Sequence, residues 1–364
     1  MRNIRISLLM IVLTLIAIGI VMIYSSTAIY AWEKFKDSGY FLKRHLVFLF
    51  LGAFFAALVM SIDYRNLSKY AKTLVLCSMF MLILLHIPGV SREISGAKRW
   101  FRIFGFSFQP SEFANLAVII YAASFLSRKG VKRMEYFNVG FLPVLVVLGM
   151  VGLLVLIQPD LGTVVALSVV VFIMLFVAGA KMRHLLYIGL VAILFLYLLI
   201  FSVPYRRARI TAFLNPWADP LSSGFQLIQS QVALGSGGLF GRGLGKGLQK
   251  LFYLPAGHTD FIFSILAEEL GFFATLAVVF LFVLFFVYGC KIVKGAQESF
   301  GAFLGLGIIS LITFKAVVNI GVSTGIFPTK GLPLPFISYG GSSLVFDMIG
   351  VGLLLNVARF GENP

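Results

Sequence analysis

Apolar stretches of about 20 residues recur along the whole 364-residue chain, and only short polar breaks separate them. A helix that crosses the hydrocarbon core of a bilayer needs roughly that many apolar residues. Hydrophobic residues make up 60% of the chain and charged residues 12%, whereas soluble domains hold about half and about a quarter. Because lipid offers the backbone no hydrogen-bond partners, this pattern predicts an all-α polytopic membrane protein in which residues 1–364 form a single domain.

Ten transmembrane helices account for the apolar stretches. The first apolar run, Ile6 to Tyr24, follows Arg2 and Arg5 but is too long for a signal peptide, so we interpret it as a spanning helix. Cys77 lies in a predicted helix and Cys290 at a predicted cytoplasmic helix end, which indicates neither a disulfide nor a metal cluster. The predicted spans are residues 6–29, 43–61, 71–87, 112–127, 140–158, 162–179, 185–203, 261–288, 301–325 and 343–358.

Basic residues in the short loops predict the orientation. Ten spans place both termini on one side of the membrane, and the positive-inside rule assigns that side to the cytoplasm. The segment between the seventh and eighth spans, about residues 204–260, is then a large extracytoplasmic loop. The basic residues of the predicted cytoplasmic loops are Arg65, Lys69, Lys72, Arg128, Lys129, Lys132, Arg133, Lys181, Arg183, Lys291 and Lys294.

The predicted outer face also carries many basic residues, among them Arg99, Arg206, Arg207, Arg209 and Lys330. One explanation is that the positive-inside rule is weak for a loop of nearly 60 residues. The other explanation is an anionic ligand at the outer leaflet, such as a lipid phosphate or diphosphate. The charge pattern alone leaves both explanations open.

The tripeptide His258-Thr259-Asp260 stands where the large loop enters the eighth span. Asp260 can be a helix cap that accepts hydrogen bonds from the first free backbone N–H groups. A carboxylate beside a histidine at the outer interface can equally be a general base. The two roles are compatible with each other.

Three charged residues lie deep in predicted spans. Glu268 and Glu269 follow Asp260 by eight and nine residues, which places them about 12–14 Å deeper. Lys315 lies at a similar depth in the ninth span, so we predict a buried ion pair between Lys315 and one of these glutamates. Such intramembrane charges are functional-site candidates by default.

Two irregular segments complete the pattern of the outer face. The glycine tract, Gly235–Gly247, fails the spacing of a phosphate-binding loop, so we expect a flexible loop at the outer leaflet. The segment from Thr329 to Ser343 contains prolines and glycines that exclude a helix. Non-helical backbone near a membrane must lie against protein or a wet cavity, so we expect this segment to line a pocket.

Taken together, these segments resemble the SEDS family of bacterial cell-wall proteins (shape, elongation, division, sporulation). Gln249–Pro255 and Pro328–Gly331 resemble the FtsW and SpoVE branch of the family more than the RodA branch. The segments that carry the resemblance cover nearly the whole chain: Tyr24–Ser26, Gly96–Trp100, Gln109–Glu112, Gln158–Gly162, Gly235–Gly247, His258–Phe261, Ala267–Gly271 and Pro328–Ser343.

The resemblance implies a peptidoglycan glycosyltransferase that polymerises lipid II at the outer face of the bacterial cytoplasmic (inner) membrane. It implies a class B penicillin-binding protein, a monofunctional transpeptidase, as partner, with other division or elongation proteins nearby and no nucleic acid. A divalent cation, Mg²⁺ or Mn²⁺, could assist, although the sequence shows no dedicated ligand cluster. A lipid II flippase and a non-catalytic scaffold for division proteins are the alternatives.

The resemblance also assigns roles to residues. Asp260 is the aspartate of the family's His-Thr-Asp motif and is the expected general base. Glu112, Glu268, Glu269 and Lys315 are expected supporting charges. The residues expected to bind substrate are Arg99, Trp100, His258, Arg242, Lys246, Lys330 and Ser338.

The chain departs from the family pattern at two positions. The family often has a lysine where this chain has Asn115, three residues after Glu112, so an ion pair within that helix is not expected here. The common Pro-Glu before the His-Thr-Asp motif is Pro255-Ala256 in this chain, so a carboxylate at position 256 cannot be essential.

Overall fold

The computed structural model describes residues 1–87, 91–94, 97–103, 106–133, 136–251, 254–255 and 257–361. These residues form helices almost throughout, in agreement with the predicted class. The helices are α1 (Arg2–Phe35), α2 (Tyr40–Ser61), α3 (Leu67–Leu84), α4 (Pro110–Arg133), α5 (Leu142–Ile157), α6 (Leu161–Val177), α7 (Met182–Phe201), α8 (Pro204–Leu214), α9 (Phe225–Ser236), α10 (Ile262–Lys294), α11 (Ser299–Thr324) and α12 (Gly341–Phe360).

Each predicted span coincides with one helix, namely α1–α7 and α10–α12. Within the described ranges, seven of these helices are long and apolar enough to cross a membrane, and α5 and α6 are shorter apolar helices. The multi-pass architecture is therefore confirmed, while the number of ten crossings stays a prediction. Two further helices, α8 and α9, lie in the segment 204–260 that joins α7 to α10.

The helices differ widely in how far they enter the bundle. In α11, 67% of the most apolar 18-residue stretch is buried, and in α12 the share is 78%. In α7 it is only 6%. Small residues allow this close packing: a Cβ atom added at Gly352 of α12 would lie 2.8 Å from the carbonyl oxygen of Ala56 in α2. In lipid, such close backbone approach supplies much of the attraction between helices. The bundle is therefore organised around α11 and α12, with α7 at its edge.

A small sheet joins α3 to α4, which the sequence pattern did not predict. Strands β1 (Ser91–Ile94), β2 (Ala97–Ile103) and β3 (Phe106–Phe108) form an antiparallel sheet in the order β1-β2-β3. The register pairs Arg92 with Trp100 and Arg102 with Ser107. Arg99 on β2 donates from Nε to the carbonyl oxygen of Gln158 at 2.9 Å, which ties the sheet to the turn between α5 and α6.

Helix α10 is interrupted at Gly271, whose backbone has φ 79° and ψ −174°. The glycine tract packs against this break, so the expectation of a flexible loop is wrong, while its location at the outer leaflet stays a prediction. The physical reason is that an interrupted helix inside a membrane must find other partners for its backbone groups. Four backbone hydrogen bonds join the two segments: Arg242 N–H to Glu268 O at 3.0 Å, Gly243 N–H to Glu269 O at 2.9 Å, Phe272 N–H to Gly238 O at 2.9 Å and Phe273 N–H to Leu239 O at 3.3 Å.

We expect Gly271→Ala to destabilise the fold strongly. Its positive φ costs a residue with a Cβ atom about 1–3 kcal/mol, and the added Cβ would lie 2.3 Å from the backbone nitrogen of Gly241. Gly149→Ala in α5 is the matched control, because no atom lies within 4 Å of its added Cβ. Thermal unfolding of both variants in detergent checks this. Equal unfolding temperatures would show that the break does not depend on glycine.

Candidate active site at Asp260

Two neighbouring elements hold the backbone around Asp260 in place. The Asn319 side chain on α11 donates from Nδ2 to the carbonyl oxygens of Asp260 at 2.9 Å and Leu332 at 2.8 Å. The Ser338 hydroxyl donates to the carbonyl oxygen of Thr259 at 2.6 Å. The turn that carries Asp260 is thereby fixed to α11 and to the loop before α12.

The Asp260 side chain does not cap α10. The capping residue is Phe261, and this helix has no side-chain cap hydrogen bond. Within the described ranges the Asp260 carboxylate accepts no hydrogen bond, and only its backbone carbonyl is engaged. A Cβ atom added at Gly331 would lie 2.9 Å from Asp260 Oδ2, so the carboxylate lies directly against the loop before α12. The capping interpretation is therefore wrong, and the carboxylate is available for chemistry.

The surroundings of Asp260 bring the pKa of its carboxyl group close to neutral pH. Removal from water raises the pKa of Asp260 to about 6, and the nearby Asp160 carboxylate acts in the same direction. The positive charges of Arg209 and Arg99 act against this rise. A carboxyl group with a pKa near the working pH is well suited to general base catalysis.

Two arginines bring positive charge close to Asp260 from different elements. Arg209 lies on α8 and donates from Nη1 to the carbonyl oxygen of Thr329 at 3.2 Å. Arg99 lies on β2 and also donates to the carbonyl oxygen of Pro159. Arg209 was among the predicted outer basic residues but not among the predicted site residues. The approach of α8 to the loop before α12 cannot be read from the sequence.

Lys330 lies near the Asp160 carboxylate. A Cβ atom added at Gly162 would lie 3.0 Å from Lys330 Cε and 3.4 Å from Asp160 Oδ1. Burial lowers the pKa of Lys330 to about 8, against the opposing effect of Asp160. Asp160 itself caps α6, since it accepts hydrogen bonds from the Thr163 amide at 3.3 Å and hydroxyl at 2.9 Å. The carboxylate that acts on Lys330 is therefore that of Asp160, and a role of Lys330 in binding substrate stays a prediction.

His258, two residues before Asp260, belongs to an aromatic cluster. Its ring centroid lies 5.4 Å from that of Phe41, 6.0 Å from Tyr339 and 6.2 Å from Tyr30. Burial lowers the pKa of His258 to about 4, so the imidazole is neutral near pH 7. The backbone of His258 accepts a hydrogen bond from the Tyr339 amide at 3.0 Å.

Other predicted substrate-binding residues have different surroundings. Ser338 is buried, and its hydroxyl accepts from the Leu334 amide at 2.8 Å while donating to Thr259, so it acts as a structural support. Trp100 is half-buried, and its ring centroid lies 6.0 Å from the Arg99 guanidinium carbon. Lys246 is exposed on the glycine tract and has no described contact with Asp260.

The carboxylates of Glu268 and Glu269 hold the glycine tract and the residues that follow it. Glu268 accepts from the amides of Leu248 at 2.8 Å and Gln249 at 3.1 Å, with Arg242 Nη1 3.8 Å away. Glu269 accepts from Lys250 at 2.7 Å, the Ser25 hydroxyl at 2.6 Å and the Gly245 amide at 3.2 Å. Arg242 is therefore a partner of Glu268 and, within the described ranges, has no contact with Asp260.

The predicted pairing of Lys315 with Glu268 or Glu269 is wrong. Lys315 Nζ lies 2.7 Å from Glu112 Oε2 on α4 and 3.0 Å from Asp347 Oδ1 on α12, and all three side chains are buried. Lys315 lies on α11, and its side chain is directed toward α4 and α12 instead of α10. Glu112 thereby obtains its cation from another helix, while position 115 on its own helix is an asparagine.

A divalent ion fits this site poorly. The described ranges contain no group of three or more His, Cys, Asp or Glu side chains that could hold a metal ion. Beside Asp260 the nearby acid is Asp160, which is already engaged by Thr163 and, at 3.4 Å, by Gln109. The positive charges of Arg99 and Arg209 already act on the Asp260 carboxylate.

Comparisons with known proteins agree with this architecture. The family model described as cell cycle protein (FtsW, RodA, SpoVE) matches residues 6–363. A probable peptidoglycan glycosyltransferase FtsW of Geobacter sulfurreducens is 46% identical over 351 residues, which are 96% of this chain and 94% of that protein. Stage V sporulation protein E of Bacillus subtilis is 45% identical over 355 residues, 98% of this chain and 97% of that protein.

Two solved structures share the fold. A chain of a peptidoglycan synthase complex that coordinates polymerization and crosslinking has a TM-score of 0.79 and 33% identity, with 98% of each chain covered. The rod shape determining protein RodA of Thermus thermophilus has a TM-score of 0.73 and 30% identity, with 98% of this chain and 97% of that chain covered. The similarity extends over nearly the full length of every protein compared.

Proposed function

The chain belongs to the FtsW/RodA/SpoVE family of cell cycle proteins, and from this membership and the Asp260 site we propose that it is a peptidoglycan glycosyltransferase that polymerises lipid II. The observation that carries the proposal is a half-buried carboxylate with a pKa of about 6, no hydrogen-bond partner in the described ranges and cationic side chains around it. These are the properties of a general base beside an anionic leaving group.

In this mechanism Asp260 removes the proton from the 4-hydroxyl of the acceptor's N-acetylglucosamine. The oxygen attacks the anomeric carbon of the donor's N-acetylmuramic acid as the bond to the diphosphate breaks. The configuration is inverted, the electron pair of the broken bond leaves with undecaprenyl diphosphate, and the proton remains on Asp260 until water takes it. No covalent intermediate with the protein is needed.

The cationic side chains stabilise the leaving diphosphate. Arg99 and Arg209 act on the charge of Asp260, and Lys330 lies beside Gly331, which contacts the Asp260 carboxylate. Positive groups fixed before the reaction stabilise charge that develops in the transition state without the cost of reorganising water. The pKa of about 8 allows Lys330 to donate a proton to the departing phosphate oxygen more readily than an ordinary lysine.

Orientation and partner belong to the same proposal. The protein lies in the bacterial cytoplasmic membrane with both termini in the cytoplasm and Asp260 at the outer face, as the charges of the short loops indicate. A class B penicillin-binding protein cross-links the strands that this protein makes. The likeness to a chain of a peptidoglycan synthase complex supports such a partner.

Polymerisation by purified protein with lipid II, with and without the transpeptidase, tests the function.

We expect Arg209→Ala to reduce strand synthesis about 10- to 100-fold, because one charge-assisted hydrogen bond to the diphosphate is lost. Arg207→Ala is the matched control, since Arg207 is exposed on the same helix. Transfer of lipid II across vesicle membranes by a protein that makes no strands would instead identify a flippase.

A further inference from the structure

Two kinds of side chain lie near the turn that carries Asp260. The positive charges of Arg99 and Arg209 act on its carboxylate. An aromatic wall formed by Tyr30, Phe41, His258 and Tyr339 adjoins the same turn, because the Tyr339 amide donates to the His258 carbonyl oxygen. A glycosyl transfer to a growing strand needs two kinds of contact, one for an anionic diphosphate and one for an uncharged carbohydrate chain.

The aromatic wall is assembled from three distant parts of the chain. Tyr30 lies near the end of α1, Phe41 near the start of α2, and Tyr339 in the loop before α12. Phe41 and Tyr339 meet edge to face with ring centroids 5.3 Å apart, and Tyr30 and Phe41 lie 5.8 Å apart. All four rings are half-buried, so they neither enter the apolar core nor face the lipid freely.

The rings of the wall are uncharged near pH 7, and two cations lie at the wall: Lys34 Nζ is 5.4 Å from the Tyr30 ring centroid, and Arg44 interacts with Tyr339. His258 carries no proton charge near pH 7, because burial lowers its pKa to about 4. The polar groups of the wall lie at its edges, for example the Tyr30 hydroxyl, which accepts a hydrogen bond from Lys34 Nζ at 3.1 Å. Rings of this kind offer an apolar face together with a hydrogen-bonding edge.

We propose that Tyr30, Phe41, His258 and Tyr339 form the subsite that binds the glycan strand on the acceptor side of Asp260. The C–H faces of pyranose rings pack on the aromatic faces, and sugar hydroxyls bond to the polar edges. His258 lies two residues before Asp260, so the wall adjoins the residue that takes the proton of the acceptor hydroxyl. This subsite rests on the proposed function, because it assumes that the acceptor is a glycan.

An alternative explanation is that these rings only pack α1, α2 and the loop together at the membrane interface, where aromatic residues are common. The two explanations differ in the effect of a side-chain change on ligand binding. Packing alone predicts a change in stability without any selective loss of carbohydrate affinity.

The test uses two soluble probes that each contact one side of the site. The first is an alternating N-acetylglucosamine–N-acetylmuramic acid tetrasaccharide without lipid or phosphate, and the second is a short-chain prenyl diphosphate. Isothermal titration calorimetry with the purified full-length protein measures both affinities. Neither measurement requires catalysis, so failure of the subsite and failure of the polymerase function are distinguishable.

We expect Tyr30→Ala to raise the dissociation constant of the tetrasaccharide about 5- to 10-fold and to leave that of the diphosphate unchanged. Arg209→Ala should show the opposite selectivity. Tyr187→Ala is the control, because Tyr187 is an exposed tyrosine on α7. Phe41→Leu, which keeps an apolar side chain, provides a second variant if Tyr30→Ala fails to fold.

Three results would overturn the proposal. The first is a wild-type protein that does not bind the tetrasaccharide. The second is a folded Tyr30→Ala or Phe41→Leu protein with wild-type affinity for it. The third is an equal loss of affinity for both probes. A protein that binds the tetrasaccharide through Tyr30 but makes no strands would keep the subsite and reject the polymerase function.

Discussion

Asp260→Asn is expected to reduce strand synthesis by about 10²–10⁴-fold while lipid II binding survives. An amide cannot accept the proton of the acceptor hydroxyl, so the lost interaction belongs to the transition state. The fold should not suffer, because the carboxylate caps no helix and accepts no hydrogen bond in the described ranges. Gel analysis of strands and a separate lipid II binding assay distinguish the two effects.

The pH dependence of the wild-type protein provides an independent reading of the same group. Strand synthesis should fall as the pH drops through about 6, because the base becomes protonated there. Folding raises the pKa of this carboxyl group, so the folded state holds its proton more tightly than the unfolded state does. At a pH above about 6 the group is ionised in both states, and its burial then lowers the stability of the fold. Asp260→Asn should therefore be at least as stable as the wild type at pH 7.5. Normal strand synthesis by this variant would falsify the catalytic role of Asp260.

Lys315→Met is expected to destabilise the protein by about 3–5 kcal/mol. The change leaves Glu112 and Asp347 without their shared cation, 2.7 Å and 3.0 Å from Lys315 Nζ, at positions that are 5% and 3% exposed. Removing one partner of a buried ion pair costs far more than the pair contributes, because the remaining charge keeps its desolvation penalty. Thermal unfolding in detergent measures the loss.

Two further variants separate charge from packing at Lys315. Adding Asn115→Lys to Lys315→Met should recover part of the stability, because position 115 lies one helical turn from Glu112 and returns the cation to α4. Lys43→Met removes the exposed ion pair with Asp37 and should cost less than about 1 kcal/mol. If Lys315→Met unfolds like Lys43→Met, the buried cluster does not stabilise the bundle.

The helices of this bundle were largely predictable, because the length and spacing of apolar stretches depend only on the thickness of the membrane. The seventh predicted span, residues 185–203, and α7 differ at their boundaries by no more than three residues. The sheet of β1, β2 and β3 was missed because its strands are short. Helix α9 (Phe225–Ser236) lies in the segment that was predicted as a large loop.

Site residues that belong to one sequence motif were predictable. Contacts between residues on different helices were less so. Asp260 and His258 share a turn, so their proximity follows from the sequence. The partner of Lys315 depends on the rotation of α11 about its axis, which hydrophobicity does not report when a helix is apolar on all sides. The same limit hid Arg209, whose position depends on how α8 lies against the loop before α12.

The break in α10 has a consequence for how the chain assembles in the membrane. The glycine tract precedes α10 in the sequence, yet its hydrogen bonds require α10 to be already inserted. The amides of Arg242 and Gly243 can find the carbonyl groups of Glu268 and Glu269 only when α10 is in place. Helix insertion and loop docking are then separate stages, and the second must follow the first. The glycines give the tract the backbone freedom to fold back against α10, the helix that follows it in the sequence.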